Sequence, residues 1–246
     1  MLPIPATELN GTGTLAPYWT FYHAVVAEQL RRWLPSQPSL LLDLSGGRGR
    51  WPAQAARDGH RVVEVMDWRG GGETRLRAAS SRIQKVRADD LAFLPDGTVD
   101  AVVAEERALS VEIMAESVLG DVARVLKPGG RALVCVDSLV LGMAILAEQN
   151  YWAHLCQTGE VMLVPWPDGS ITRCFTSAQL REVLAGAGLE VEWVRPRTVL
   201  SPSTVDHVLG SAGRSLSWLV RTELEAHPDD DDTVGIHLVA SARKPA

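Results

Sequence analysis

Lysine is scarce in this chain: Lys85, Lys127 and Lys244 are the only three among the 24 basic residues of 246. Against 30 acidic residues the formal net charge is −6, so no basic surface is expected to hold a run of phosphates, and nucleic acid is excluded as the expected partner. Long apolar runs are also missing. Hydrophobic residues make up 46% of the chain, yet no stretch reaches the roughly 18 uncharged residues that a membrane-spanning helix needs, so no membrane partner is expected. The first residues, MLPIPATELNG, carry no basic region followed by an apolar core and do not read as a secretory signal. Cysteine is limited to Cys135, Cys156 and Cys174. That odd set lacks metal-ligand spacing, and Cys135 lies in an apolar run, so reduced structural thiols in a cytoplasm are expected. No metal-ligand constellation is visible, and metal independence is expected. The acidic run Asp229 to Asp232 has no ligand alternation and reads as a solvated loop.

What the chain does have starts with LLLDLSGGRGRW, Leu40 to Trp51. Leu40, Leu41 and Leu42 fit a buried parallel strand with Asp43 at its carboxyl end. Gly46, Gly47 and Gly49 then free the backbone for close approach to a ligand, and Pro52 sits in the first turn of a helix running through Ala53 to Arg57. In an open α/β sheet such a turn lies where ligands bind, outside the carboxyl ends of the strands. The segment GHRVVEVMDW, Gly59 to Trp68, reads as a turn and a second buried strand ending at Asp67. RADDLAFLPDGTVDAVVAEE holds a third and fourth strand region. In RVLKPGGRALVCV, Arg124 to Val136, a helix ends at Lys127, Pro128 and Gly129-Gly130 stop it, and a buried strand begins. FTSAQLREVLAGAGLEVEWV repeats that logic: Thr176 or Ser177 caps a helix, Gly186 and Gly188 end it, and a strand follows. IHLVASARKP is the last strand. Uninterrupted strand-helix alternation favours one α/β domain over residues 1–246, although the length alone lies between one and two domains.

From Leu40 to Lys244 this order resembles the class I S-adenosylmethionine-dependent methyltransferases, small-molecule type. The resemblance implies a Rossmann-like, doubly wound seven-stranded sheet with an antiparallel last strand. It implies transfer of a methyl group from S-adenosylmethionine to an O, N or C nucleophile of a small-molecule acceptor, by a monomer or homodimer. The cofactor residues it implies are Asp43, Ser45, Gly46, Gly47 and Gly49 of the loop, Asp67 for both ribose hydroxyls, and Trp68 on adenine. Asp89 or Asp90 would meet the adenine amino group beside Leu91, and Glu105 would line the pocket. Two departures stand out: Ser45 replaces the usual first glycine, and Asp67 comes one residue late, which puts Met66 at the acid position unless the second strand bulges. These keep open a methyltransferase-fold protein that performs another rearrangement, such as a cyclisation, or a non-catalytic subunit, since fold does not fix function. The preponderance of arginine over lysine, with abundant alanine and glycine, suggests a GC-rich bacterial genome.

Substrate choice belongs to the segments outside the shared core. Residues 1–35 form an expected helical lid, in which Tyr18, Trp19, Tyr22 and His23 either face the methyl donor or, with Val26, pack on the sheet; residues 1–30 are expected to be removable with the core still folded. Residues 138–174 form an expected substrate-side insertion: a helix from Leu139 to Leu155, then two short strands joined through a Pro-Asp-Gly turn. Tyr151, Trp152, His154, Trp166 and Arg173 are its candidate contacts. Glu106, His154 and Tyr22 are the candidate catalytic residues. Glu106 follows the fourth strand and is suited to accept a proton, and Arg107 beside it to pair with a substrate carboxylate. In the bland reading Glu106 and Arg107 form a solvated loop.

Overall fold

In the computed structural model the described residues are 16–66, 81–88, 90–151, 161–166, 168–197, 200–210, 215–225 and 235–246. Five strands run parallel: β1 (Leu40–Gly46), β2 (Arg61–Met66), β3 (Ile83–Arg87), β4 (Val99–Ala104) and β5 (Leu126–Ser138), in the order β3-β2-β1-β4-β5. Beyond β5 lies β9 (His237–Arg243), antiparallel to it, and beyond that β8 (Glu190–Arg197), antiparallel to β9. These seven strands are the expected doubly wound sheet. Two more, β6 (Met162–Pro165) and β7 (Ile171–Phe175), form the antiparallel hairpin expected in the insertion. The hairpin joins the sheet through the last two residues of β5, Asp137 opposite Cys174 and Ser138 opposite Phe175. Since β9 already occupies the other flank of β5 as far as Asp137, the hairpin lies past the end of β4, over the carboxyl edge.

Helices cover both faces because successive side chains of a strand point to opposite faces. Leu42, Val63, Val65, Val102 and Val134 face one side and pack against α4 (Ala115–Val125) and α6 (Ser177–Gly186). The α4 helix meets them with Val118, Leu119, Val122 and Val125, a stripe at helical spacing. Leu41, Val62, Ala101, Val103 and Leu133 face the other side, under α1 (Ala16–Trp33) and α2 (Trp51–Arg57). Each fully buried leucine or valine contributes about 1.5–3 kcal/mol. A third cluster joins the first half of α1, through Tyr18, Phe21 and Val25, to α7 (Pro202–Gly210) and α8 (Leu216–Glu225). Residues up to 30 are therefore not removable as expected: Phe21, Val25 and Leu30 are core, and without them two helices and one sheet face lose their cover.

Local chemistry sets the boundaries. Thr176, not Ser177, caps α6, in a capping box with Gln179. The helix expected to reach Lys127 stops at Val125, and β5 begins at once. At Gly130 a Cβ would stand 2.9 Å from the Lys127 carbonyl and 3.0 Å from that of Asp100, so the glycine lets the start of β5 close on β4. The helix expected over Leu139–Leu155 is α5 (Leu139–Glu148), followed by a turn in which Asn150 takes φ +60°. A short helix, α3 (Ala108–Val111), follows β4. Among the described residues no helix is long and apolar enough to cross a membrane.

Candidate functional site

The glycine loop leaves β1 later than its sequence suggests. Asp43 is inside the strand, fully buried, and the pairing with β2 slips just after it: Asp43 opposes Glu64 and Gly46 opposes Met66. Three residues of β1 thus span two of β2, so the extra residue is in β1. The bulge that would bring Asp67 to the acid position belongs in β2, whose pairing with β3 runs in register from Val62 to Met66. Met66 takes the place opposite the loop, and its side chain covers Gly47. A Cβ on Gly47 would stand 2.5 Å from Met66 Cε and 2.7 Å from Sδ, on a backbone at φ +75°. Asp43 Oδ1 accepts a hydrogen bond from the Ser45 amide at 2.9 Å, while among the described residues Oδ2 is buried without a partner. Burial pushes the Asp43 carboxyl up to about 7 against the pull of its bonds to Ser45, and neighbouring Glu64 adds to the rise. Glu64 itself lies 3.3 Å from Lys85 Nζ. Ser45, where a glycine was the expected residue, accepts a bond from the Glu105 amide at 3.2 Å and ties the loop to the end of β4.

Glu105 is not free to meet a ligand through its carboxylate. Both of its oxygens accept bonds of 2.8 Å from Arg197 at the end of β8. Arg197 donates as well to Gln29 of α1, at 2.7 and 3.0 Å. Burial works against the Arg197 charge, but Glu105 outweighs it and holds the guanidinium well above its ordinary range. The next two residues are both left-handed, Glu106 at φ +56° and Arg107 at φ +62°. Such strain in non-glycine residues costs on the order of 1–3 kcal/mol each and gathers at functional sites. Glu106 is half-buried, and burial, then the charge of Glu105, raises its carboxyl above the usual range. It lines a cavity of about 370 Å³ between α1 and α2, with His23, Gly49, Arg50, Trp51 and Glu105. Burial, then Arg50, lowers His23.

Arg107 has a partner within the protein instead of waiting for a substrate carboxylate. It binds both oxygens of buried Asp137 at 2.6 and 2.8 Å, and its guanidinium lies 4.3 Å from the centre of the Trp166 ring on the hairpin. Tyr22 is drawn into the same edge, its hydroxyl 3.3 Å from Nδ1 of His237. Of the other candidates, Trp19 and His23 stay half-buried beside Tyr22 while Tyr18 is buried in the helical cluster. Leu91 is fully buried in the core, so only its backbone is left for a ligand, and Asp90 Oδ1 caps its own turn by accepting from Ala92. Arg173 faces away, paired with Glu116 at 2.7 Å and stacked on Phe175. Tyr151 is exposed. Asp67, Trp68, Asp89, Trp152 and His154 lie outside the described residues. The sequence reading missed Glu64, Asp137, Arg197 and His237. The one signal that could have found them was a charged residue inside an apolar strand run, a position rarely filled unless paired. Among the described residues no three His, Cys, Asp or Glu gather to hold a metal ion.

A family pattern described as a methyltransferase domain matches residues 42–134, the stretch from β1 through most of β5 that carries the glycine loop and Glu105. Over those residues the chain is similar to a methyltransferase domain. No curated protein matches it in sequence. Among solved structures it is similar to the 1,6-didemethyltoxoflavin-N1-methyltransferase of Burkholderia thailandensis, crystallised with 1,6-didemethyltoxoflavin and S-adenosylhomocysteine. The TM-score is 0.57 at 17% identity, covering 100% of this chain and 93% of that one. An S-adenosylmethionine-dependent methyltransferase of Mesorhizobium loti gives 0.57 at 19%, covering 89% and 98%. The cyclase SpnF gives 0.56 at 19%, covering 96% and 84%. At such identities the likeness is one of fold, and the methyltransferase domain shares its sheet with proteins of more than one chemistry.

Proposed function

We propose that the protein transfers the methyl group of S-adenosylmethionine to a small-molecule acceptor. The observation that carries this reading is the cavity that opens on Gly49, Glu105 and Glu106 at the carboxyl ends of β1 and β4, beside a loop with two left-handed glycines and an Asp43 oxygen buried without a partner among the described residues. Its volume falls within the range of small-ligand sites. Gly46, Gly47 and Gly49 would let the backbone approach the methionyl part, Ser45 would fix the loop, and Asp43 would offer Oδ2; Asp67, Trp68 and Asp89 or Asp90 would take the adenosine. Bound, S-adenosylmethionine supplies a methyl group already activated by its sulfonium. The chain then has to align the acceptor and keep water out, which supplies most of the acceleration in such a displacement. The Glu105–Arg197 pair leaves the floor of the site without net charge. Glu106, held as a stronger base than an exposed carboxylate, faces the cavity.

A second reading, a non-methylating rearrangement on the same fold, is favoured by Met66 standing opposite Gly46 at the end of β2 and by the likeness to a cyclase. Calorimetry with S-adenosylmethionine and S-adenosylhomocysteine, followed by transfer of a labelled methyl group to small acceptors, separates the two. Binding with transfer supports the methyltransferase, binding without transfer the second reading, and absence of binding overturns the first.

A further inference from the structure

The methyl-transfer reading leaves unused a chain of polar side chains that crosses the carboxyl edge from α1 to the hairpin. It begins at the Tyr22 hydroxyl, 3.3 Å from His237 Nδ1. The other nitrogen of His237, Nε2, is 3.6 Å from Asp137 Oδ1. Asp137 is locked by the two bonds from Arg107, which lies against Trp166. Its amide donates to Ser110 at 2.7 Å. Distant parts of the chain supply these groups: α1, the segment from Arg107 into α3, the end of β5, the hairpin and the start of β9. They gather at the carboxyl end of β5, and Tyr22 adjoins His23, which lines the cavity shared with Gly49. A buried polar network is costly unless it is satisfied; here Tyr22 and His237 are within hydrogen-bond distance, while His237 and Asp137 stand 3.6 Å apart, just beyond it.

The direction of the Tyr22–His237 contact depends on the imidazole tautomer. Tyr22 can donate only if Nδ1 keeps its lone pair, which places the ring proton on Nε2, facing Asp137. Burial, then the charges of Arg107 and Arg197, keeps the imidazole neutral well below its ordinary range. Burial, then Cys135, raises the Tyr22 hydroxyl, with Arg197 opposing and Glu105 adding to the rise. A neutral imidazole can take a proton, and the carboxylate oxygen Asp137 Oδ1 lies 3.6 Å from its Nε2. Trp19, whose ring is 5.4 Å from that of Tyr22, and Trp166 offer flat apolar walls on the two sides.

We propose that Tyr22 and His237 take the proton of the methyl acceptor, with Asp137 and Arg107 as positioning residues, and that the acceptor is a hydroxyl or N–H on an unsaturated ring. An imidazole suits such weakly acidic protons better than those of alkyl alcohols. In the step, the acceptor oxygen or nitrogen forms a bond to the methyl carbon as the carbon–sulfur bond breaks and its electron pair stays on sulfur. The acceptor proton passes to Tyr22 Oη while the Tyr22 hydroxyl proton passes to His237 Nδ1. The products are S-adenosylhomocysteine, the methylated ring and an imidazolium that returns its proton to water.

This inference rests on the methyl-transfer reading, and its test keeps the two apart. Calorimetry comes first: wild type, Tyr22→Phe and His237→Gln should bind S-adenosylmethionine within about threefold of one another, and a wild type that does not bind overturns the reading itself. Nitrogen-15 histidine spectra, with His237 assigned through His237→Gln, should show a neutral Nε2–H ring at pH 7 whose Nδ1 signal moves in Tyr22→Phe. An Nδ1–H ring overturns the relay. Labelled methyl transfer is then measured with 4-nitrocatechol and 1,6-didemethyltoxoflavin as ring O–H and N–H probes. Tyr22→Phe and His237→Gln should lower kcat by about 100-fold or more with KM little changed, within the range of general acid–base catalysis. Wild-type kcat in both variants overturns the inference, as does cofactor binding with no transfer to either probe.

Discussion

Arg197, the largest side chain fully buried among the described residues, faces Glu105 through two parallel bonds of 2.8 Å, so the cofactor-side end of β4 is held by the far edge of the sheet. Breaking a buried pair leaves an uncompensated charge and costs about 3–5 kcal/mol, whereas replacing both partners by apolar groups of similar volume costs far less. Arg197→Met should therefore destabilise the protein by several kcal/mol, and Glu105→Leu with Arg197→Met should recover much of that. Urea unfolding of the two variants checks this; a double variant no more stable than the single one would show that the pair is not the source of the loss.

Gly47 admits a sharper test than simple enlargement. In Gly47→Ala the new Cβ meets Met66 and sits on a left-handed backbone, so stability should fall by about 1–2 kcal/mol from the backbone conformation alone and further from the clash. Adding Met66→Ala should relieve the clash. If the loop also holds the cofactor, affinity for S-adenosylmethionine stays weakened in the double variant. Affinity that returns with stability would make Gly47 a packing glycine only.

Asp43 gives a pH dependence of definite sign. Its folded value of about 7 lies above the ordinary 3.8, so the folded state binds this proton more tightly than the unfolded one. The stabilising contribution is complete below the ordinary value and is lost as pH rises through about 7, by up to about 4 kcal/mol at 1.36 kcal/mol per unit. Asp43→Asn cannot lose a proton. Its stability relative to wild type should rise between pH 5 and pH 8 in unfolding measured without ligand. A difference that stays flat over that range would show that the Asp43 carboxyl does not titrate there.

Truncation before residue 31 should abolish cooperative unfolding, because Phe21, Val25 and Leu30 leave the core with it. Near-ultraviolet circular dichroism on heating reads this directly. Trp19→Ala, which removes only a half-buried ring, should retain a cooperative transition.

Much of the sheet was legible in the amino-acid order because its signals are local. An apolar run such as Leu40–Leu42 reads as a strand and Trp166 to Ser170 reads as a turn between short strands, each through patterning or backbone freedom carried by neighbouring residues, whereas the helix stop read at Lys127 to Gly130 falls two residues earlier, at Val125. The same locality placed the glycine loop and Glu106 at the carboxyl edge. Burial inside strands was not legible for polar residues. Glu64 and Asp137 interrupt apolar runs, and their partners Lys85 and Arg107 come from other strands and loops.

The sequence by itself thus determined the layer architecture and the order of strands and helices along the chain, since hydrophobic period, glycine and proline act within a few residues. Only the tertiary structure decided which side chains share that site. The bond between Tyr22 and His237 spans 215 residues, and the pairing of Arg197 with Glu105 requires β8 to lie beyond β9. It also turned Arg107 from a free cation into a bound one, because a buried charge must find its opposite, and which opposite it finds depends on how the strands are ordered and not on how far apart they are in the chain.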